Sequence, residues 1–431
     1  MKIPSVKGFH DVLPGESGRW AMLEQRAREV FAAYNFQEIR IPIVERTDLF
    51  QRSIGETTDI VEKEMYTFAD RDGTSLTLRP EGTASVVRAY VAHALHQHES
   101  VSKLFYFGPM FRRERPQKGR LRQFSQIGAE VLGRDDPAAD AEVLILLYDL
   151  LAAFGVETAE VQVNSLGCRS CRPAYRTALV EWGRARQAEL CDDCRRRIEQ
   201  NPLRLLDCKQ PPCGAIRLSA PRMIDYYCDA CQAHFERVLE CLRAEQLEPR
   251  LQPYMVRGLD YYCRTAFEVL AQGLGAQNAV GGGGRYDGLV RDLGGPDVAG
   301  VGFALGVERL TMILTEGALS VDTRPEFVVV PVGDAAESVA MTIAHRWRRN
   351  GARVEVIAGG KSLKSHMRRA DKLGSRYVLI IGEDELAGQA LTVRDMEARC
   401  DYPRSISLNV SVAELRVALG ELKPTSAERR A

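Results

Sequence analysis

Apolar and polar side chains alternate with a period of two between residues 124 and 132, a pattern that predicts a β-strand with two different faces. The residues of its apolar face are Ile127, Ala129 and Val131. The residues of its other face are Gln126, Gly128 and Glu130. A glycine between an amide and a carboxylate leaves space above a sheet, so we interpret this face as the floor of a ligand site. An aromatic-rich run, 104–111, predicts the partner strand of a hairpin.

Further elements are predicted on both sides of this hairpin. Apolar residues at helical spacing predict helices at 18–34, 83–94 and 139–154. The predicted strands are 36–44 and 161–167, and 75–83 is predicted as a strand that Pro80 stops and that ends in a turn. The turn presents the carboxylate of Glu81 and the hydroxyl of Thr83 together; the alternative is a helix start with Thr83 as its cap. Pro42 interrupts the strand pattern and places that segment at a sheet edge or an interface, so we expect the unit 18–44 to form a dimer contact.

Two glycine-rich stretches follow later in the chain. The sequence VGGGGRYDGL at 280–289 allows a backbone to approach a ligand closely, and Arg285 and Tyr286 are expected to open a helix. A floppy surface loop is the alternative, but it fits poorly with the flanking apolar strands. The second stretch, 300–311, predicts a strand that leads into a helix carrying Glu308 and Arg309.

The pattern changes after a polar stretch, 317–326, which we interpret as a linker. Strands and helices then alternate. The predicted strands are 327–332, 353–357 and 377–381, and the predicted helices are 335–349, 362–373 and 412–419. This order predicts a small α/β domain with parallel strand pairing.

The composition describes an ordinary globular protein. The chain has 431 residues, enough for two or three domains, and its 58 Lys and Arg balance 58 Asp and Glu. A net charge of zero argues against wholesale wrapping of nucleic acid. The N-terminal residues lack the apolar core of a signal peptide, and the longest apolar run, 143–147, is too short to span a bilayer. We therefore expect a cytoplasmic protein without a membrane partner.

A net charge of zero is compatible with basic surfaces in particular segments of the chain. The hairpin loop 112–122 carries six Lys or Arg and one Glu, and 346–376 carries ten against two acids. Cations at the mouth of a carboxylate- and amide-lined floor suit a small cationic or zwitterionic substrate beside a polyanion. The segment 346–376 is a candidate RNA-contacting face. Solvated surface charge is the alternative for both segments.

Eight of the eleven cysteines form four close pairs between residues 168 and 231. These cysteines are Cys168 and Cys171, Cys191 and Cys194, Cys208 and Cys213, and Cys228 and Cys231. Two such pairs can supply the four thiolates of a tetrahedral zinc site, so four pairs predict two structural zinc sites in an inserted subdomain. Reduced, buried thiols are the alternative. Cys241, Cys263 and Cys400 are solitary and are expected only to pack.

A set of motifs in a fixed order carries a family resemblance. The sequence FRRERPQKGRLRQFSQIGAEVLG resembles motif 2 of class II aminoacyl-tRNA synthetases, and GVGFALGVERL resembles their motif 3. TLRPEGTA, VRGLDYY and GGGGRYDGL are similar to segments of the histidyl-tRNA synthetase family, bacterial type. The resemblance covers nearly the whole chain, including the C-terminal part, which is similar to a class IIa anticodon-binding domain.

The resemblance implies roles for individual residues. The implied catalytic residues are Arg112, Arg257 and Arg309. The implied histidine-binding residues are Glu81, Gly82, Thr83, Gln126, Glu130, Arg257, Tyr261, Tyr262 and Tyr286. The implied ATP-binding residues are Arg112, Glu114, Arg120, Phe124 and Arg309. Within these sets, Glu81, Thr83 and Gln126 match the residues that hold the substrate α-amino group. Glu130 and Tyr262 match those that contact the imidazole.

The family further implies an activity, partners and a domain order. ATP with Mg2+ would activate L-histidine as an adenylate, and a homodimer would transfer the histidyl group to tRNA(His). The expected fold is an α+β catalytic domain with a mostly antiparallel sheet flanked by helices, interrupted by a cysteine-rich insertion and followed by an α/β anticodon-binding domain. The expected domains are residues 1–167 and 241–320 for the catalytic parts, 168–240 for the insertion and 327–431 for the anticodon-binding domain. We expect the insertion to pack against the tRNA acceptor arm, and Gln117 in the motif 2 loop to read the acceptor end.

Two other functions share this fold. One is the non-catalytic, histidine-sensing regulatory subunit of ATP phosphoribosyltransferase, which generally lacks the C-terminal domain and the intact set of arginines. The other is an RNA-binding or signalling module that has lost activity. Because Arg112, Arg257, Arg309 and residues 327–420 are all present, the sequence favours the enzyme.

Overall fold

The computed structural model describes residues 3–55, 58–156, 158–208, 210–274, 278–314, 322–359, 362–402 and 406–421. The chain divides into two compact units, residues 1–321 and 322–431. The boundary lies inside the predicted linker, whose residues 317–321 fall outside the described part of the chain. Each unit has its own hydrophobic core.

The first unit is organised around an eight-stranded sheet. The strands of this unit are β1 Gln37–Glu38, β2 Val44–Arg46, β3 Tyr66–Ala69, β4 Ser75–Leu78, β5 Ser102–Phe111, β6 Gln123–Leu132, β7 Ala159–Ser165, β8 Arg250–Leu251, β9 Cys263–Ala271, β10 Ala279–Arg285 and β11 Gly300–Gly306. The large sheet has the order β1-β5-β6-β11-β10-β9-β7-β8, and β2, β4 and β3 form a separate small sheet. Pairing in the large sheet is antiparallel except where the short β1 and β8 join its two edges, which confirms the mostly antiparallel sheet.

Helices cover one face of this sheet. The helices of the first unit are α1 Glu16–Ala33, α2 Thr47–Ile54, α3 Thr83–Ala92, α4 Pro137–Ala153, α5 Arg172–Ala185, α6 Asp192–Gln200, α7 Pro211–Arg217, α8 Asp229–Ala244, α9 Leu289–Asp292 and α10 Val307–Ile313. The apolar face of β6, with Ile127, Ala129 and Val131, packs in one core with residues of α1, α4 and α8. The alternation predicted for this strand is therefore confirmed, and its polar face is left for the site.

Two local predictions were wrong. Residues 36–44 do not form one strand, because the chain leaves the sheet after β1 and pairs again only at β2, beyond Pro42. Arg285 and Tyr286 do not open a helix either. Arg285 is the last residue of β10, and α9 begins only at Leu289, after Gly288 has turned the chain with a φ of 102°.

A buried ionic network explains the position of Arg285. Its guanidinium group is fully buried and donates hydrogen bonds to the carboxylate of Asp140 and, at 2.9 Å, to the carbonyl oxygen of Arg134. The second carboxylate oxygen of Asp140 lies 2.9 Å from Nε2 of His234. The network joins the end of β10 to α4 and α8. Burial by itself would raise the pKa of Asp140, but the His234 and Arg285 groups hold this pKa below its usual value.

The second unit is an α/β domain. Its strands are β12 Phe327–Pro331, β13 Val354–Val356, β14 Tyr377–Ile381, β15 Ala390–Asp395, β16 Cys400–Asp401 and β17 Ile406–Ser407, and its helices are α11 Asp334–Arg349, α12 Leu363–Leu373, α13 Glu383–Gly388 and α14 Val412–Glu421. The parallel pairing of β12 with β13 and β14 was predicted. The antiparallel strands β15, β16 and β17, which extend this sheet, were not predicted.

Across the described part of the chain, no helix combines the length and the apolar character needed to cross a membrane.

Candidate active site

A cavity of about 430 Å³ opens above the polar face of the large sheet. Most of the residues predicted for the site line it together. These residues are Glu81, Thr83, Arg112, Glu114, Arg120, Phe124, Gln126, Arg257, Tyr261, Tyr262 and Arg309. The three other predicted residues, Gly82, Glu130 and Tyr286, lie beneath this surface and do not line it.

Glu130 is fully buried under the floor of the cavity. Its carboxylate accepts hydrogen bonds of 2.6 Å from the hydroxyl groups of Thr83 and Tyr286. Burial raises the pKa of Glu130 from the ordinary value of 4.5 to about 8, against the two hydrogen bonds, which lower it. The group is therefore largely protonated at neutral pH while the site holds no cation.

Gly128 makes room for a side chain of the protein rather than directly for a ligand. Tyr106 stands opposite Gly128 in the hairpin, and a Cβ at Gly128 would lie 2.1 Å from Cζ of that ring. A Cβ at Gly82 would lie 2.3 Å from the same atom. The Tyr106 ring thus occupies the space above both glycines and lines the cavity. Sequence analysis missed Tyr106, although the hairpin register could have identified it as the partner of Gly128.

Glu81 stabilises the start of α3. One carboxylate oxygen accepts a 2.7 Å hydrogen bond from the backbone N–H of Thr83, and the other accepts one of 2.8 Å from Ala84. The alternative role considered for Thr83, a helix cap, therefore belongs to Glu81. Burial raises the pKa of Glu81 above its usual value, and these backbone hydrogen bonds act in the opposite direction. Gln126 lies nearby in the cavity, and its buried Oε1 has no hydrogen-bond partner among the described residues.

Three arginines of different elements face the cavity, each oriented by the protein. Arg112 donates through Nε to the carbonyl oxygen of Pro80 at 2.9 Å, and its guanidinium lies 5.3 Å from the Phe124 ring centre. Arg257 donates to the carboxylate of Glu268 at 3.0 Å. Guanidinium groups stay charged and can bind two oxygens at once, so this arrangement suits carboxylate and phosphate groups.

Arg309 is the third of these arginines. Its Nε donates to the carbonyl oxygen of Gly119 at 2.7 Å, and a second nitrogen donates to the carbonyl oxygen of Ala279. Because Gly119 lies in the loop of the β5–β6 hairpin, Arg309 ties that loop to β10. Burial lowers the pKa of Arg309, and the charge of Arg112 lowers it further.

The hairpin loop itself contains an ion pair and a tight turn. Arg120 forms an ion pair with Glu114, and the backbone groups of Gln117 and Arg120 bond to each other. Gln117 does not line the cavity. It lies in a neighbouring groove that also contains Trp20 and Lys118.

Two acidic residues at the cavity were missed by the sequence analysis. Glu268 on β9 holds Arg257, and Asp207 reaches the cavity from the cysteine-rich segment. Neither residue belongs to a recognisable motif. Asp207 could only be found once the fold placed the cysteine-rich segment beside residues 256–262.

The paired cysteines assemble into two groups of four. The base quartet consists of Cys168, Cys171, Cys228 and Cys231, and the nested quartet consists of Cys191, Cys194, Cys208 and Cys213. Within each quartet all sulfur atoms lie within 4.8 Å of one another. Three sulfur–sulfur distances in the base quartet and one in the nested quartet are 3.7–3.8 Å. Tetrahedral Zn–S bonds of about 2.3 Å place sulfur atoms about 3.8 Å apart, so both quartets fit zinc.

The chain is similar to known proteins over most of its length. A family model described as histidyl-tRNA synthetase matches residues 8–170 and 218–310, and an anticodon binding domain model matches residues 326–417. The chain is 55% identical over 396 residues to a histidine–tRNA ligase of Trichlorobacter lovleyi, covering 92% of this chain and 94% of that protein. It is 52% identical over 403 residues to a histidine–tRNA ligase of Syntrophotalea carbinolica, covering 94% and 96%. The crystal structure of apo S. aureus histidyl-tRNA synthetase superposes with a TM-score of 0.77 at 36% identity, covering 93% of this chain and 96% of that one.

Proposed function

Because this chain belongs to the histidyl-tRNA synthetase family and is a histidine–tRNA ligase, we propose that its cavity joins histidine to ATP before the histidyl group passes to tRNA(His). The observation that carries this assignment is that Arg112, Arg257 and Arg309 converge on one cavity with the polar face of β6. Cations at one part of the cavity suit the phosphates of ATP, and acceptors at the other suit an amino acid.

Histidine binds at the floor in this proposal. Its α-ammonium group supplies the donor that the buried Oε1 of Gln126 lacks among the described residues, with Glu81 and Thr83 beside it. Its imidazole approaches Tyr262 and the Glu130 carboxyl below. Amino acids that cannot satisfy these polar groups are rejected, because the groups would remain buried and unpaired.

The reaction requires positioning more than covalent chemistry. A carboxylate oxygen of histidine attacks the α-phosphorus of ATP, and the bond from that phosphorus to the bridging oxygen breaks, so pyrophosphate leaves with Mg2+. Arg257 and Arg112 bring the carboxylate and the α-phosphate together and stabilise the charge of the transition state. Arg309 holds the γ-phosphate, and Phe124 packs against the adenine near Glu114 and Arg120.

Amino-acid-dependent exchange of labelled pyrophosphate into ATP tests this proposal. We expect exchange with histidine and not with the other standard amino acids. Exchange with a different amino acid would contradict the assignment of the pocket. Histidine binding without exchange would favour the regulatory subunit of ATP phosphoribosyltransferase, a function that the curated relatives support less.

Each cysteine quartet holds one structural zinc ion in this proposal. The sulfur separations and the all-cysteine donor set support zinc, which would cross-link the segment without taking part in the reaction. Elemental analysis of protein purified without chelator should find two zinc ions per chain. A preparation with full activity and no zinc would contradict this assignment.

The enzyme acts as a cytoplasmic homodimer in this proposal, with the unit 18–44 as a dimer contact. Ile43 and Val44, beside Pro42, are exposed apolar residues that an interface would cover. Sedimentation of the active enzyme tests this part, and a fully active monomer would contradict it.

A further inference from the structure

The residues that carry Arg257, Tyr261 and Tyr262 lie in a segment without regular secondary structure. This catalytic loop, 252–262, connects β8 with β9 and contains no strand. Two of its backbone N–H groups donate to other parts of the chain, Gln252 to the carbonyl oxygen of Val163 and Asp260 to that of Ile54. Its conformation therefore depends on contacts that other parts of the chain make with it. Because adenylate formation depends on the position of Arg257, those contacts matter for the rate.

Two arginines of the cysteine-rich segment hold carbonyl groups of this loop. Arg204, whose side chain is buried, donates to the carbonyl oxygen of Gly258 at 2.7 Å, next to Arg257. Arg172 donates to the carbonyl oxygen of Tyr262 and, through Nε at 3.0 Å, to that of Leu166. A charged donor that binds a carbonyl inside a protein makes a strong hydrogen bond.

Arg204 is fixed by the nested quartet. The neighbouring Leu205 packs in one apolar cluster with Cys194 and Cys208. On the same stretch, the amide of Asn201 lies 3.4 Å from the carboxylate of Asp260, and Asp207 accepts from Arg204 at 3.3 Å. The stretch 201–208 therefore lies across the catalytic loop and connects it to the quartet.

Arg172 is fixed by the base quartet in a similar way. It follows Cys171 directly, and its backbone N–H donates to the carbonyl oxygen of Cys168 at 3.1 Å. The sulfur of Cys171 is also packed closely against Gly167, since a Cβ there would lie 2.8 Å from it. Each quartet thus fixes one arginine, and each arginine holds a different carbonyl of the same loop.

We propose that the two cysteine quartets, when they hold metal, position the catalytic loop through Arg172 and Arg204, so that the cysteine-rich segment is part of the adenylation machinery. This inference rests on the proposed function and on zinc in the quartets. Arg204 and Arg172 are positioning residues, because they act through Arg257 and Tyr262. The nested quartet lies within 171–217, the interval that separates the two segments matched by the family model.

Arg204→Met tests the proposal, with Arg204→Lys and Arg196→Met as comparisons. Arg196 lies on α6 of the same segment, is exposed and pairs only with Asp193 among the described residues. For Arg204→Met we expect the kcat of histidine-dependent pyrophosphate exchange to fall roughly 10- to 100-fold while the KM for histidine changes little. Arg204→Lys should recover part of the loss, since an ammonium group can still donate to the Gly258 carbonyl. Arg196→Met should behave as wild type.

Two further readouts separate positioning from loss of the fold. Arg204→Met should keep two zinc ions and the thermal midpoint of the wild type, yet hydrogen–deuterium exchange should accelerate in 252–262. Cys208→Ser with Cys213→Ser should lose one zinc ion and accelerate exchange in the same peptide. An Arg204→Met enzyme with wild-type kcat, or zinc loss without any change in 252–262, would overturn the proposal. A wild-type enzyme without histidine-dependent pyrophosphate exchange would instead refute the proposed function. Hydrogen–deuterium exchange of 252–262 in the variants would still decide the inference.

Discussion

Glu130 shows how strongly burial changes a single side chain. Its carboxyl pKa of about 8 lies above the ordinary value of 4.5, so the folded protein binds this proton more tightly than the unfolded chain does. The stabilisation from this proton is complete below pH 4.5 and is lost as the pH rises through 8. A cationic imidazole bound beside this carboxyl would favour its ionised form and so lower this pKa.

This titration predicts a pH-dependent difference between the wild type and Glu130→Gln. The amide resembles the protonated carboxyl, so without histidine the stability of the wild type relative to the variant should fall between pH 5 and pH 8, by at most about 1.4 kcal/mol per pH unit. Unfolding midpoints measured at each pH, with Glu62→Gln on an exposed side chain as control, test it. Parallel curves for wild type and Glu130→Gln would show that folding does not raise the pKa of Glu130.

Gly128→Ala should prevent the hairpin from accommodating Tyr106. The added Cβ would lie 2.1 Å from the ring, too close for any real contact, so the ring or β6 has to move. We expect a lower thermal midpoint and loss of histidine-dependent exchange. Gly388→Ala is the matched control, because a Cβ there meets nothing within 4 Å. A Gly128→Ala enzyme with wild-type activity would contradict the tight packing described for this face.

For single residues, the sequence predicted which side chains belong to the site better than it predicted which side chains touch each other. The alternation of β6 correctly placed Gln126 and Glu130 on one face. The family resemblance implied a common site for Arg112, Arg257 and Arg309, and these three residues line one cavity. The sequence did not reveal that Tyr106 would fill the space above Gly128. Cross-strand neighbours depend on register, which residue patterns constrain only weakly until the loop length is known.

Among the elements, α4, α8 and β10 depend on the buried network around Asp140. Asp140→Ala would leave the fully buried Arg285 without its main partner, so we expect a loss of about 3–5 kcal/mol in the free energy of unfolding. Glu240→Ala is the control, since its pair with Arg237 is exposed and screened by solvent, so its loss should hardly change the stability. Denaturant unfolding measures both variants. Equal small losses would mean that the network contributes little to stability.

Helices and strands were predictable where a local hydrophobic pattern determines them, and less predictable where pairing with a neighbouring strand determines them. Helix α4 and the hairpin have strong patterns of their own. The glycine run of β10 has none, and it is a strand because β9 and β11 pair with it on both sides. The short strands β16 and β17 exist through their pairing with β15, which no local pattern of two residues can indicate.

The division into two units leads to a prediction for the whole molecule. The second unit has its own core around Trp347, Leu379 and Val393, so residues 322–431 expressed alone should fold. We expect a cooperative thermal transition and a dispersed NMR spectrum. Trp347→Ala in the same fragment should abolish that transition, because it empties the largest buried site of this core. A wild-type fragment that unfolds without cooperativity would show that the unit depends on the rest of the chain.

The order of the domains followed from the order of the motifs, but the pairing of the cysteines did not. Four adjacent pairs allow several combinations into quartets, and sequence spacing favours neighbours. The structure instead joins the first pair to the last and encloses the two middle pairs. Only the fold of α5 to α8 determines this choice.

This nesting has a consequence for a chain that is still being synthesised. The first four thiols to leave the ribosome are Cys168, Cys171, Cys191 and Cys194, which belong to two different quartets. Cys208 follows Cys194 by 14 residues, which takes about 1–3 s at ordinary translation rates. A link formed during this interval has to be reversible for the native quartets to assemble. Disulfide reshuffling takes seconds to hours, so nascent thiols that stay reduced reach the nested arrangement most directly.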